Sequence, residues 1–219
     1  DYYRKTFFNE LFFIDKMRES YKSIFVNKIS LSLSIMFAGL AGYSFFAFFP
    51  IYLSNRAYSD GEITFIMTFL GIGIAGFSSY IGRISDRTRK RKVFLVGGLV
   101  GQLCVFLILM SFSVNDLIFY CLLTFLRGVS LAARVPASNA LFADIVEKKN
   151  NQVIINSEII ETEVSGRQLS LLNTIKSTGW GLGLIFSNIF MNLFGLESLI
   201  QFLVISTIVS LLFALFVND

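Results

Sequence analysis

The chain has 219 residues, of which 54% are hydrophobic and 16% charged, with a formal net charge of +4. Soluble domains carry about 25% charged residues, so this composition cannot supply a polar coat around a single core. No histidine occurs, and the two cysteines, Cys104 and Cys121, lie inside apolar runs, which argues against His-based metal sites, His-dependent triads and a disulfide framework.

In chain order, residues 1–28 come first. Phe7, Phe8, Leu11, Phe12, Ile14, Tyr21 and Phe25 recur there at near-helical spacing with Lys and Arg between them, which predicts an amphipathic helix lying on the inner leaflet. Six apolar stretches follow, at about 29–55, 63–82, 93–115, 117–143, 168–194 and 198–217. Each is close to the roughly 20 residues a helix needs to cross the hydrocarbon core. The fold class is therefore all-α, a polytopic membrane protein with six transmembrane helices. The joints after the first, third and fifth spans are short. On the opposite side stand the N-terminal segment, the loop 83–92 and a longer loop, 144–167. The stretch 148–165 within that last loop reads as an insert or a second surface helix, with no role assigned.

Of the 19 Lys and Arg residues, Arg127, Arg134 and Lys176 fall inside spans and Arg56 alone lies on the side of the short joints. The rest lie on the other side. This positive-inside asymmetry puts both termini in the cytoplasm. Cations grouped in short blocks between apolar runs are topology signals, so no nucleic-acid partner is expected.

Between the second and third spans the chain reads Gly82-Arg83-Ile84-Ser85-Asp86-Arg87-Thr88-Arg89-Lys90-Arg91-Lys92. Cations alone would suffice for topology. Asp86 weakens that signal, and its presence asks for a specific partner. The segment resembles the signature loop of the major facilitator superfamily, Gly-x-Leu-x-Asp-Arg-x-Gly-Arg-Arg/Lys, and departs from it at Arg89, where the family has glycine for a tight turn. Arg127-Gly128, Arg134, Pro136 and the run Ala140 to Asp144 are similar to the family's fourth helix. Gly166-Arg167 is similar to the pair that opens its fifth, in reversed order, and Phe49 to Leu53 to the end of its first.

The resemblance implies a six-helix half bundle of a secondary transporter, the N-terminal half by its loop signature. A C-terminal half, with segment 1–28 as the remnant of a central linker, stays open. The chain begins at Asp1 rather than Met, so a trimmed or partial chain is expected. The resemblance also implies a conformational gate of Gly82, Asp86, Arg87, Lys90 and Asp144. In it Lys90 pairs with Asp144, and the cluster favours the outward-facing state.

An arginine at a helix centre costs about 2.5–3.5 kcal/mol on insertion scales, so such residues persist where they meet water, a partner or a substrate. Thr124, Arg127, Ser130, Arg134 and Ser138 share one face of the fourth span by their spacings of three and four. Asn173, Lys176, Trp180, Gly183 and Ser187 make a similar stripe on the fifth. The two stripes predict a wet cavity lined by Thr124, Arg127, Ser130, Arg134, Asn173, Lys176 and Trp180, with Tyr43 from the aromatic-rich first span. Three cations and no carboxylate favour an anionic or strongly polar solute. Gly179 and Gly183 are expected to be close-packing positions. Leu184 follows where the family's antiporters carry proline, which weakens an antiporter assignment.

The expected activity is secondary active transport of a small solute, including efflux of small organic or anionic molecules, by alternating access. The expected partners are that solute, the lipid bilayer of the cell membrane and a second six-helix bundle. No cofactor is expected. A scaffold or half-transporter that acts as a dimer is the alternative. A channel or intramembrane enzyme is disfavoured, since the joints are short and the spans hold neither His nor acid.

Overall fold

The computed structural model describes residues 2–112, 115–153 and 161–217, and the side chains of 24–112, 115–145 and 170–217. Among the described residues there are six helices and no strand: α1 (Tyr2–Ser54), α2 (Asp60–Thr88), α3 (Arg91–Ser111), α4 (Leu117–Val153), α5 (Glu161–Phe194) and α6 (Glu197–Leu215). Five stretches are long and apolar enough to cross a membrane by length and composition: Ile24–Ser54, Asp60–Thr88, Arg91–Ser111, Leu117–Ile145 and Glu197–Leu215. The expected span 168–194, in α5, is not among them. Asn173, Thr174, Lys176, Ser177 and Thr178 crowd one part of that helix with polar groups.

The expected N-terminal helix is continuous with the first span, and the segment expected as a loop after the fourth is mostly helix. Helix α1 runs without a break through 2–28 into its apolar stretch, and the side chains of 1–23 lie outside the described residues. Helix α4 continues to Val153 and α5 starts at Glu161, so helix fills most of the segment 144–167 read as a loop. Glu147, Lys148 and Lys149 are good helix formers, and nothing between Asp144 and Val153 breaks the backbone ladder. Residues 113–114, in the joint before α4, and 154–160, in the supposed insert, lie outside the described residues.

The ends of α2 show how the chain sets its joints. Ser59 and Glu62 form a capping box, with the Ser59 N–H donating to Glu62 Oε2 at 2.8 Å. At the other end Arg89 turns left-handed, with φ 54° and ψ 13°. The turn the signature glycine would make is therefore made here by an arginine. Gly195, at φ 85°, stops α5 in the same way.

Helix α4 packs on α2 and α3, α1 packs on α5 and α6, and the two groups join through α3 against α6 and α1 against α4. Small residues let the backbones approach. A side chain on Gly128 would collide with the Leu70 carbonyl, and one on Gly73 would stand 2.5 Å from the Phe125 carbonyl. Across the α1–α5 seam, Gly179 abuts the Met36 carbonyl and Gly183 that of Leu40. The expectation of close packing at Gly179 and Gly183 matches this geometry.

Two apolar clusters divide the interior. One is aromatic, with Phe45, Phe49, Tyr52, Phe106 and Tyr120, and lies toward the joint of α1 and α2. The other is mainly aliphatic, with Leu31, Leu95, Leu141, Phe142 and Ala214, toward the basic end. The buried cations described next sit around the boundary between them.

Candidate functional site

Helix α4 carries Arg127 and Arg134 inward, and both are buried, at 1% and 7% exposure. They lie two turns apart on one face, as the sevenfold spacing dictates. Arg127 is walled by aromatic rings, its guanidinium carbon 5.3 Å from the Phe106 centroid and 5.6 Å from that of Phe45. Such cation–π contacts contribute about 0.5–2 kcal/mol each. They offset part of the burial cost and satisfy no hydrogen bond. Arg127 Nε and Nη1 and Arg134 Nη1 find no hydrogen-bond partner among the described residues. Each unmet buried donor costs about 1–3 kcal/mol, and more when charged.

The two guanidinium groups converge on Gly42 of α1. A Cβ there would stand 3.4 Å from Arg127 Nη2 and 3.7 Å from Arg134 Nη2. They face a cavity of about 470 Å³ between α1, α4 and α5. Of the sequence-predicted residues, Tyr43, Arg127, Arg134, Asn173, Lys176 and Trp180 line it. Tyr43 and Trp180 stack at 4.7 Å and 14°, and the indole edge rests on Gly39, whose missing side chain makes room for it. Lys176 Nζ donates to Asn139 Oδ1 at 2.5 Å. Aliphatic side chains, among them Ile35, Leu95 and Leu131, complete the wall, and no described Asp or Glu lines it.

Two predicted cavity residues stand elsewhere. Thr124 is fully buried against α2 and donates to the Ile66 carbonyl at 2.9 Å as well as to its own helix. Ser130 donates back to the Leu126 carbonyl and faces Gly101 of α3. A single stripe of spacing three and four is wider than one cavity wall, and its edges go to α2 and α3. Three residues were missed: Gly42, Asn139 and Ser34. A polar residue such as Asn139 inside a span was a usable signal. Gly42 was one glycine among 16 and carried none.

At the basic end, Arg91, the first residue of α3, pairs with Asp144 at 2.5 Å and with Asp86 at 3.8 Å, and donates to the Ala140 carbonyl at 2.7 Å. The partner of Asp144 is thus Arg91 and not Lys90. Lys90 is the N-cap, with a non-helical backbone (φ −93°, ψ 56°), whereas Arg91 is inside the helix and its guanidinium fork serves two carboxylates and a carbonyl at once. Gly82 has open space around it, and Arg87 ends α2 exposed.

No curated protein and no solved structure matches the chain. A family model described as the Major Facilitator Superfamily matches residues 31–219, which takes in the basic loop, the arginine-bearing α4 and the cavity wall together, and the chain belongs to that superfamily of membrane transporters of small solutes.

Proposed function

We propose that this chain is one six-helix bundle, the N-terminal one, of a secondary transporter that carries a small organic solute by alternating access. It faces a second six-helix bundle across the cavity and sits in the cell membrane with both termini in the cytoplasm. The observation that carries the reading is the cavity between α1, α4 and α5, with two buried arginines and a stacked Tyr43–Trp180 pair on its wall. A membrane protein keeps cations at bilayer depth where they contact water, partners or cargo. The Arg91 cluster would then be the gate. It ties the start of α3 to the end of α2 and to Ala140 and Asp144 within α4, and its rupture would accompany inward opening.

The test is solute counterflow into proteoliposomes holding the native polypeptide that bears these residues. Accumulation above protein-free liposomes, abolished by Arg134→Gln, is the expected result. Flux equal to leak for polar, anionic and apolar organic solutes alike would overturn the transport reading.

A further inference from the structure

The cavity holds an electrostatic imbalance. Arg127 and Arg134 bring two fixed guanidinium charges to the same point beside Gly42, and Lys176 adds a third cation bonded to a neutral amide. No described carboxylate answers them in the cavity wall. Arg91, at the basic end, does have carboxylate partners, Asp86 and Asp144. Arg127 Nε, Arg127 Nη1 and Arg134 Nη1 are buried without a hydrogen-bond partner, and the Nη2 atoms beside Gly42 belong to side chains more than nine-tenths buried. Unmet charged donors in a dry wall are complementary to a ligand that brings oxygens and negative charge.

We propose that this cavity takes a divalent organic anion, with a dianionic oxyanion head between Arg127 and Arg134 and an apolar body against the rest of the wall. The inference rests on the reading of this cavity as the solute site. A dianion neutralises both guanidinium charges, whereas a monocarboxylate leaves one uncompensated. A tetrahedral phosphate or a pair of carboxylates also offers acceptors to both Nη2 atoms at once, so that each guanidinium gains a charged partner. Ile35, Phe46 and Leu131 give the rest of the wall an apolar character suited to a short hydrocarbon body. Gly42 sets access to the head-group site. Without a side chain there, both Nη2 atoms can reach an anion lying against α1.

The chain carries its own reporter, because Trp180 is its single tryptophan and lines this cavity. The native polypeptide that bears these residues, in lipid nanodiscs, is titrated at pH 8 with n-butyl phosphate, glutarate, butyrate, butylammonium and butanol, following the emission that Trp180→Phe removes. Saturable responses to butyl phosphate or glutarate are expected at concentrations at least tenfold below those for butyrate. The preference between the two distinguishes a phosphate from a dicarboxylate head. A phosphate monoester loses its second charge below about pH 6, so the response to butyl phosphate should weaken several-fold at pH 5.

Arg134→Gln should weaken dianion binding at least tenfold and leave the butanol response unchanged. Arg134→Lys, which keeps the charge and loses the fork, should weaken it less. If Arg134→Gln fails to fold, Gly42→Ala serves instead. Its methyl shields both Nη2 atoms, retains every charge, and should lower dianion affinity several-fold. Tighter binding of butylammonium or butanol than of either dianion, or no saturable response to a dianion, would overturn the inference. The counterflow experiment judges the transport reading separately, since a carrier of neutral or cationic solutes would pass it.

Discussion

Arg89 holds a backbone conformation that glycine adopts freely. At φ 54° its Cβ crowds the following carbonyl, a cost of about 1–2 kcal/mol for an L-residue. Arg89→Gly removes that cost and adds some unfolded-state entropy, so stability should rise by up to about 1 kcal/mol. Arg89→Val, β-branched and a genuine outlier at positive φ, should lower it by more than about 1 kcal/mol. Thermal unfolding in detergent micelles reads both. A ranking with valine above glycine would mean the left-handed turn is not there. Two residues on, the gate offers a sharper contrast. Arg91→Ala removes two ion pairs and a bond to the Ala140 carbonyl. Both carboxylates are more than a third exposed, so solvent screening limits the loss to about 1 kcal/mol. Lys90→Ala should stay within about 0.5 kcal/mol of the parent. Equal losses in the two variants would return Lys90 to the role the loop motif had suggested.

Helix seams follow a different rule, since backbone contact rather than charge decides them. Gly128→Ala forces a methyl into the Leu70 carbonyl, and α2 and α4 must separate. Overpacking of this kind costs about 1–3 kcal/mol. Gly181→Ala meets open space in the same bundle and gains helix propensity, so it should be neutral or stabilising by up to about 1 kcal/mol. Comparing the two in one unfolding assay separates seam glycines from incidental ones; equal effects would sink the distinction. From sequence, Gly128 and Gly181 look alike, because what differs is the neighbour across the seam. The apolar stretches of α1, α2, α3, α4 and α6 were legible, since length and hydropathy report directly on lipid contact. The extent of α4 was not, because Asp144 and Lys148 read as loop by their charge while their helix propensity favours continuation. The cavity was legible where charge inside a span demanded a reason, at Arg127, Arg134 and Lys176. It was illegible at Thr124, whose hydroxyl serves α2. The choice of Arg91 over Lys90 depended on which of two adjacent cations lies inside the helix.

Taken as a whole, the bundle has a neighbour pattern that maps onto itself when α1, α2 and α3 are exchanged with α4, α5 and α6. The α2–α4 seam corresponds to α5–α1, and α3–α4 to α6–α1, while α1–α4 and α3–α6 map onto themselves. Direction follows the same exchange. Along the α2–α4 seam, Ile66 meets Thr124 and Leu70 meets Gly128, so the two helices run the same way. Met36 meets Gly179 and Leu40 meets Gly183, so α1 and α5 also run the same way. This bears on α5, whose polar face keeps its hydropathy below that of the other five. Helix α5 turns Asn173, Lys176 and Trp180 to the cavity and sets Gly179 and Gly183 against α1, while Leu184, Ile185, Phe186 and Ile189 are exposed beside the polar Thr178 and Asn188. A helix parallel to α1 and in register with the apolar stretch of α1 should cross the membrane with it. In a Cys104→Ser, Cys121→Ser background, Asn55→Cys at the end of α1 and Phe194→Cys at the end of α5 should then react with a membrane-impermeant maleimide added to intact cells. Thr88→Cys at the basic end should react only after permeabilisation. If Phe194→Cys is shielded together with Thr88→Cys, α5 turns back without crossing, and the cavity it shares with α1 and α4 cannot lie on a path between the two sides.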